Sequence, residues 1–311
     1  MSRLRVWSSD AYTVPLPPGH PFPMAKYRAL RELLLAEGVV AATHVAHSEP
    51  APVAWLLRAH DVTFVERALD GDLGADEVRR LGMPWSEALV TRARAAVFGT
   101  VQAAFAALED GVAGNLAGGT HHAFRDRGEG YCLFNDHAVA IAALRAAGRA
   151  ARPLIVDLDV HQGNGTAAIF ADDPTVFTLS LHGRTNYPLH KEKSSLDVEL
   201  EDGVGDAEYL AALDAVLGPA IAAHAPDFVL YQAGVDAHEH DRLGRLSLTF
   251  DGIAARDGRV LAACAARDVP VVITLGGGYG RPLESTVRAH ASVFRAAAEA
   301  LGRRGVATPG A

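Results

Sequence analysis

Residues 154–167 read LIVDLDVHQGNGTA, and this stretch decides the fold. It begins with consecutive aliphatic residues, the composition of a strand that is buried on both faces of a parallel sheet. Polar side chains then alternate with apolar ones at Asp157, Asp159 and His161. Because the side chains of a strand alternate between its two faces, all three should point to the same side. Burying two carboxylates and an imidazole is costly unless something compensates them.

Further aliphatic runs of the same kind follow: TVFTLSLH (175–182), PDFVLYQAGVD (226–236) and PVVITLGGG (270–278). Between them lie amphipathic segments with helical spacing, DAEYLAALDAVLGPAIAAH (206–224) and FDGIAARDGRVLAACAAR (250–267). Strands that alternate with helices predict an α/β fold. We expect one domain over residues 1–311, with a central, mostly parallel sheet and helices on both faces.

The first third of the chain has mostly helical patterns. One predicted helix covers AKYRALRELLLAEG (25–38), and a long one follows Ser86 and ends at Gly111. Serine before a helical pattern is a typical N-cap, and glycine is typical of the C-terminal end. The last residues, 302–311, are expected to form a flexible tail.

Composition excludes several function classes. The 311 residues carry a formal net charge of -8 and no block of Lys and Arg, so direct binding of nucleic acid is not expected. No apolar run approaches the ~20 residues of a membrane span, and the N-terminus has no apolar leader. Two cysteines are too few for a disulfide framework. These features predict a cytoplasmic protein, and they leave the oligomeric state open.

The residues whose side chains could bind a metal or take part in catalysis lie where strands of the predicted sheet end. Asp157, Asp159 and His161 end one strand, Asp236 ends another, and Tyr279 follows a third in the turn GGGYG. Ligands of open α/β sheets bind in the crevice beyond the carboxyl ends of the strands. A glycine-rich loop also carries the adjacent His121 and His122, and it leads into a helix that Asn135 or Asp136 caps.

One oxygen each from Asp159 and Asp236, with an imidazole nitrogen of His161, would form a metal site with three protein ligands. Three ligands with one open position are typical of catalytic zinc, although Fe²⁺ also accepts such donors. The alternative is that Asp157 and Asp159 accept hydrogen bonds from backbone N–H groups and that His161 is an ordinary core residue.

Five motifs, in order, resemble the histone deacetylase and acetylpolyamine amidohydrolase family, which has the arginase/deacetylase fold. They are GGTHHA (118–123), GYCLFND (130–136), DLDVHQGNG (157–165), QAGVDAHEHDRLG (232–244) and LGGGYG (275–280). The resemblance covers roughly residues 20 to 300. HQGNG (161–165) is similar to the class IV branch and its bacterial relatives.

The resemblance implies a hydrolase that removes an acyl group from lysine or from a small acylated amine. It also implies the zinc ligands Asp159, His161 and Asp236, in agreement with the strand-end argument. By the same resemblance the further catalytic residues have separate roles: His121 acts electrostatically and is backed by Asp157, His122 transfers the proton beside Asn164, and Tyr279 donates its hydroxyl to the acyl oxygen.

Substrate and ion contacts are implied as well. The carbonyl of Gly130 would accept a hydrogen bond from the N–H of the substrate amide. Tyr131 and Tyr187 would line an acyl-lysine channel, and Gly277 would let its turn approach the substrate. Members of the family also hold a structural K⁺, and the matching positions are Asp157, Asp159, His161, Ser180 and Leu181.

The sequence departs from the family pattern in three places. Asn164 replaces the aspartate that many members have behind the second histidine, so the pKa of His122 should be less elevated. The loop at Glu87 lacks the aspartate with which class I enzymes clamp a peptide. His238, Glu239 and His240 stand where other members have apolar residues or glycine, and we interpret them as solvated rather than as the rim of the pocket.

Two alternatives remain at this point. Val-Asp-Ala-His (235–238) also resembles the motif of dimanganese, arginase-like hydrolases, in which His238 would bind a second ion. The other alternative is a catalytically silent scaffold that binds acylated lysine. The tandem histidines and Tyr279 favour the deacetylase.

Overall fold

The computed structural model describes residues 3–306, with side chains described up to residue 302. Its eight strands form one sheet in which every described pair is parallel. The strands are β1 (Val6–Ser8), β2 (Val45–His47), β3 (Val112–Asn115), β4 (Pro153–Asp157), β5 (Phe177–Gly183), β6 (Leu196–Leu200), β7 (Phe228–Gln232) and β8 (Val271–Thr274). Their order in the sheet is β2-β1-β3-β8-β7-β4-β5-β6.

Helices connect the strands, and a short 3-10 helix (Ala42–His44) precedes β2. The α-helices are α1 (Lys26–Ala36), α2 (Val53–Leu56), α3 (Val62–Asp70), α4 (Ala75–Leu81), α5 (Glu87–Asp110), α6 (Asp136–Ala146), α7 (Asn164–Ile169), α8 (Asp206–His224), α9 (Phe250–Ala265) and α10 (Leu283–Val306). None of the described helices is long and apolar enough to cross a lipid bilayer.

The sheet is buried on both faces. Along β4, Leu154 and Val156 pack into one hydrophobic cluster, whereas Ile155 packs into the other. The first cluster joins the sheet to α1, α8, α9 and α10, and the second joins it to α3, α5 and α6. Because successive side chains of a strand point to opposite faces, an unbroken aliphatic run supplies both layers. The α/β class and the helices on both faces are therefore confirmed.

Most elements lie where the sequence predicts them. Ser86 caps α5 by accepting the N–H of Leu89, and Gly111 ends that helix. Of the two candidate caps of α6, Asn135 accepts the N–H of Ala138. Strands β1, β2, β3 and β6 were not predicted from the sequence. Helix α10 continues to Val306, so residues 302–306 of the expected tail are helical, and residues 307–311 lie outside the described residues.

A buried arginine joins the two loops that follow the central strands β4 and β7. The Arg256 guanidinium of α9 is fully buried and donates to the carbonyls of Leu158, at 3.1 Å, and Gly234, at 2.5 Å. It is also paired with Asp257, whose Oδ1 lies 2.8 Å from Nη2. Buried carbonyls at strand ends need donors. Arg256 therefore fixes the backbone next to both Asp159 and Asp236.

We expect Arg256→Met to lower the free energy of unfolding by about 3–5 kcal/mol, because it leaves Asp257 as a buried charge without its partner. Urea denaturation followed by circular dichroism measures the change. Arg259→Met is the matched control on the same helix, since the Arg259 side chain is 36% exposed and its partner Asp214 is 55% exposed. Equal stability of the two variants would contradict the structural role of Arg256.

Candidate active site

Three buried side chains converge at the carboxyl edge of the sheet. Asp159 and His161 lie in the loop after β4, and Asp236 lies in the loop after β7. The Nδ1 atom of His161 is 3.0 Å from Asp159 Oδ1 and 3.0 Å from Asp236 Oδ2. One ligand atom from each of the three residues lies within 4.8 Å of the others. In the described part of the chain, this is the single group of its kind that could hold a metal ion.

The same carboxylates also organise the backbone around them. Asp157 Oδ1 accepts the N–H of Asp159 at 3.1 Å, and Asp159 Oδ1 accepts the N–H of His161 at 3.0 Å. Asp236 Oδ1 accepts the N–H of Val160 at 2.9 Å, which ties the two loops together. The structure thus contains the backbone hydrogen bonds that the sequence offered as an alternative to metal binding. These bonds do not explain why potential metal-ligand atoms of three residues lie so close together.

The donor set fits a divalent cation. Burial raises the pKa of Asp236 to about 7, and the charge of Asp159 adds to this increase. Burial opposes protonation of His161, but the Asp236 and Asp159 carboxylates outweigh it and raise its pKa to about 10. Both shifts mean that the buried carboxylates favour a neighbouring positive charge. A cation among two carboxylates and an imidazole supplies that charge, and these donors suit zinc.

His121 and His122 lie beside this group and are held by different partners. The Nδ1 atom of His121 donates to Asp157 Oδ2 at 2.7 Å, and that of His122 donates to Asn164 Oδ1 at 2.7 Å. Burial would lower the pKa of His121, but Asp157 and Asp159 raise it to about 9. Burial, reinforced by the neighbouring charge of His121, lowers the pKa of His122 well below its usual value. The surroundings therefore favour the charged form of His121 and the neutral form of His122.

Two glycines explain how the loop after β4 approaches the tandem histidines. A Cβ atom on Gly163 would lie 2.4 Å from Asp157 Oδ2, and one on Gly165 would lie 2.3 Å from the carbonyl oxygen of Ala123. Any side chain at these positions would push the loops apart. The glycines on either side of Asn164 thus bring its amide within hydrogen-bond distance of His122.

The Gly-rich turn after β8 places Tyr279. Its backbone N–H donates to Asp241 Oδ2 at 2.6 Å, and burial raises the pKa of its hydroxyl well above the usual value. The peptide group between Gly276 and Gly277 is bonded at both ends: its carbonyl accepts from Lys26 Nζ at 3.1 Å, and its N–H donates to Asp159 Oδ2 at 2.6 Å. The turn is therefore fixed to the ligand group on one side and to α1 on the other.

A channel leads from the surface to these groups. Its volume is about 410 Å³, and His122, His161 and Tyr279 are among the residues that line it. Gly130, Tyr131 and Tyr187, which the family resemblance assigns to substrate binding, form part of the wall. Two arginines, Arg80 and Arg245, also line this channel.

The histone deacetylase domain matches residues 20–297 of the chain. The chain belongs to the histone deacetylase family. The resemblance that the five sequence motifs carry is thereby confirmed, and the family is one of hydrolases that act on amides.

Several relatives of this histone deacetylase family member support the assignment. An uncharacterized protein of Picosynechococcus sp. is 45% identical over 92% of this chain and 95% of its own length. Histone deacetylase 2 of Arabidopsis thaliana is 37% identical, and the match covers 68% of this chain and 54% of the plant protein. The histone deacetylase-like amidohydrolase of Pseudomonas aeruginosa is 29% identical over 85% of this chain and 74% of its own length.

The fold has a counterpart among solved structures. The crystal structure of the HDA15 HD domain superposes with a TM-score of 0.81 and 26% sequence identity, covering 97% of this chain and 88% of that domain. The match spans the single α/β domain and its parallel sheet. The fold class predicted from the sequence is therefore that of a deacetylase domain.

Some expected contacts of this deacetylase family member differ in detail. Gly277 lies against the carboxylates, since its N–H is bonded to Asp159, and other residues form the channel wall. The interpretation of His238 as solvated is wrong: the residue is 4% exposed, and its ring packs against Phe250. The next two residues, Glu239 and His240, are exposed.

The positions expected for a monovalent cation lie on neighbouring strands. Ser180 and Leu181 belong to β5, and Ser180 is the register partner of Asp157 on β4. Asp159 and His161 follow in the loop after β4. The structure thus brings these five positions into one region, and the ion itself stays a prediction.

Three residues that support the site were not predicted from the sequence: Lys26, Arg256 and Glu129. Lys26 is 1% exposed, and its ammonium lies 5.5 Å from the centre of the Tyr279 ring. Glu129 accepts the side-chain N–H of Asn164 at 2.8 Å. The sequence shows Lys26 in a helix with an apolar face and Glu129 between two glycines. Neither pattern indicates which residue the side chain contacts.

We expect the Asp236→Ala variant to bind no divalent metal, because the substitution removes one of only three converging ligand residues. Elemental analysis of protein purified with zinc measures the metal per chain, and circular dichroism checks the fold. His240→Ala is the control, since this exposed residue is close in sequence but outside the donor group. Stoichiometric metal in the Asp236 variant would contradict the ligand set, and two ions per wild-type chain would favour the dimanganese alternative.

Proposed function

We propose that this protein is a zinc-dependent amidohydrolase that removes the acyl group from acylated lysine side chains. One observation carries the proposal: the group of Asp159, His161 and Asp236 lies at the same channel as His122 and Tyr279. Family membership supports hydrolysis of an amide. Zinc, the substrate and the residue roles are our inference.

Asp159, His161 and Asp236 would hold the ion. When bound, a divalent ion of this type supplies a Lewis acid for the acyl oxygen and lowers the pKa of the attacking water. The protein supplies a fixed set of donors and a buried setting in which electrostatic interactions are strong.

The two histidines divide the electrostatic and proton-transfer work. His122 is neutral and has its hydrogen on Nδ1, where Asn164 accepts it, so Nε2 has a lone pair for a proton. In the proposed reaction this nitrogen takes the proton of the attacking water and gives it to the leaving amine. The new C–O bond forms and the C–N bond breaks, which yields a carboxylic acid and an amine; a proton then passes between these products, and they leave as a carboxylate and an ammonium ion. His121, held by Asp157, contributes a fixed positive charge.

Tyr279 supplies the remaining hydrogen-bond donor. Its hydroxyl stays protonated because the ring is buried, so it donates to the acyl oxygen as negative charge develops there. The carbonyl of Gly130 accepts the substrate N–H, and Tyr131 and Tyr187 flank the acyl-lysine chain. These roles follow the family resemblance, and the positions of all four residues on the channel support them.

The structure gives no specific support to the alternatives. A second manganese ion would need His238, but this ring packs against Phe250 and against His240, whose backbone N–H it accepts at 3.1 Å. A silent scaffold would not require both histidines to be held by buried partners. We also propose that K⁺ occupies the region of Asp157 and Ser180, where it would fix the ends of β4 and β5.

We expect Tyr279→Phe to lower kcat on a fluorogenic acetyl-lysine substrate by about 10²- to 10³-fold, because it removes one donor to the developing oxyanion. The fold and the metal content should be unchanged. Tyr12→Phe is the control, since Tyr12 bonds Glu49 rather than lining the channel. A Tyr279 variant with wild-type kcat would contradict the proposed role.

We expect acetyl-lysine peptides to be better substrates than acetylated polyamines by at least about 10-fold in kcat/KM, because Arg80 and Arg245, the latter partly offset by Asp202, place positive charge at the channel that disfavours a polycation. Adding salt should reduce the difference, since it screens the charges. The double variant Arg80→Gln/Arg245→Gln should also reduce it, whereas the exposed Arg149→Gln should not. Faster turnover of the polyamine by the wild type would contradict the proposed substrate class.

A further inference from the structure

Glu129 is a nearly buried carboxylate to which the proposed reaction assigns no role. Its side chain is 11% exposed, and Oε2 lies 3.5 Å from Arg127 Nε. Its other oxygen, Oε1, accepts two hydrogen bonds: one from Asn164 Nδ2 at 2.8 Å and one from the Tyr187 hydroxyl at 2.6 Å. Both donors belong to residues that contact His122.

The first of these bonds determines how the Asn164 amide is oriented. A side-chain amide has a donor end and an acceptor end of nearly the same shape, and its hydrogen bonds decide between the two orientations. An ionised carboxylate only accepts, so the NH₂ group of Asn164 must face Glu129. Its oxygen then faces His122 Nδ1, which must carry the hydrogen. Glu129 thereby leaves Nε2 of His122 as the proton acceptor.

The second bond holds an aromatic ring against the same histidine. The rings of Tyr187 and His122 meet edge to face, with centroids 5.1 Å apart and an interplanar angle of 82°. Tyr187 is 39% exposed at the channel, so only part of its side chain is held by packing against other residues. Its hydroxyl bond to Glu129 fixes the ring.

The backbone anchors Glu129 independently of its side chain. Glu129 and Cys132 exchange two backbone hydrogen bonds, of 2.9 and 2.8 Å, and the N–H of Gly130 donates to the carbonyl of Arg80 at 3.2 Å. These bonds do not involve the carboxylate. A substitution of the side chain should therefore keep the loop in place and change only what Oε1 holds.

We propose that Glu129 is a positioning residue of the hydrolytic site, which fixes the tautomer of His122 through Asn164 and the ring of Tyr187 through its hydroxyl. The neutral Asn164 then links His122 to a carboxylate, that of Glu129, through two successive hydrogen bonds. The catalytic part of this proposal rests on the proposed amide hydrolysis, whereas the part about the tautomer does not.

Two substitutions separate the hydrogen bonds from the charge. Glu129→Ala removes the acceptor, and we expect kcat on an acetyl-lysine substrate to fall by about 10- to 100-fold with a smaller change in KM. Glu129→Gln keeps an oxygen that can accept from both Asn164 and Tyr187, so kcat should fall by about 5-fold or less. Equal kcat for the wild type and the alanine variant would overturn the proposal.

A double-mutant cycle gives a readout that a merely structural role would not change. Asn164→Asp places a second carboxylate where Glu129 Oε1 now accepts a bond of 2.8 Å, so we expect it to lower kcat through repulsion. Adding Glu129→Gln supplies an amide donor to the new aspartate and should recover most of the loss. If the Asn164→Asp variant has the same kcat with and without the added Glu129→Gln substitution, the proposal is wrong.

A spectroscopic measurement separates this proposal from the proposed function. In zinc-loaded protein with ¹⁵N-labelled histidine, NMR should find the His122 hydrogen on Nδ1 in the wild type and in Glu129→Gln, and a mixture of tautomers in Glu129→Ala. Comparison with His122→Gln assigns the signal. A wild type that hydrolyses no acylated amine would refute the proposed function, and an unchanged tautomer in Glu129→Ala would refute the positioning role.

Discussion

The site depends on holding two negative charges close together where water is nearly excluded. Asp159 is 1% exposed and Asp236 is fully buried, and both lie against one imidazole. Such an arrangement is unfavourable unless hydrogen bonds and positive charge compensate it. Backbone N–H groups, His161 and a metal ion would share this compensation. Much of the surrounding structure holds these carboxylates in place, for example through the backbone N–H groups of Val160 and Gly277.

The parallel sheet places the carboxylates, and buried polar groups hold them. The adjacent strands β4 and β7 end at the same edge, so the loops that follow them meet there. Arg256 then donates a hydrogen bond to one backbone carbonyl in each loop. The two hydrophobic layers fix the strands, but it is this guanidinium that connects the layer of α9 to the backbone of the site. The same residue therefore contacts both the helical layer and the backbone that carries the site.

The sequence predicts the convergence of Asp159, His161 and Asp236 better than it predicts the residues that support them. Asp159, His161 and Asp236 directly follow aliphatic strands, so parallel topology alone brings them to one edge. Glu129 contacts Asn164 across 35 positions, and no local pattern indicates which loops meet. His238 was misinterpreted for a related reason: it stands beside exposed, polar neighbours, yet it packs under Phe250. Strand β6 was missed because it is only partly buried, and its sequence, LDVEL, contains two acidic residues.

The peptide group between Gly276 and Gly277 has a further consequence for the charge of the site. It carries a dipole of about 3.5 D, and here its negative end faces the Lys26 ammonium while its positive end faces Asp159. The lysine thus offsets part of the aspartate's charge through an intervening amide, without taking up a coordination position. If Asp159 holds a metal ion as proposed, the positive charge of Lys26 on α1 would lower the basicity of that carboxylate. The charge at the site therefore depends on a helix that contributes no residue to the described lining of the channel.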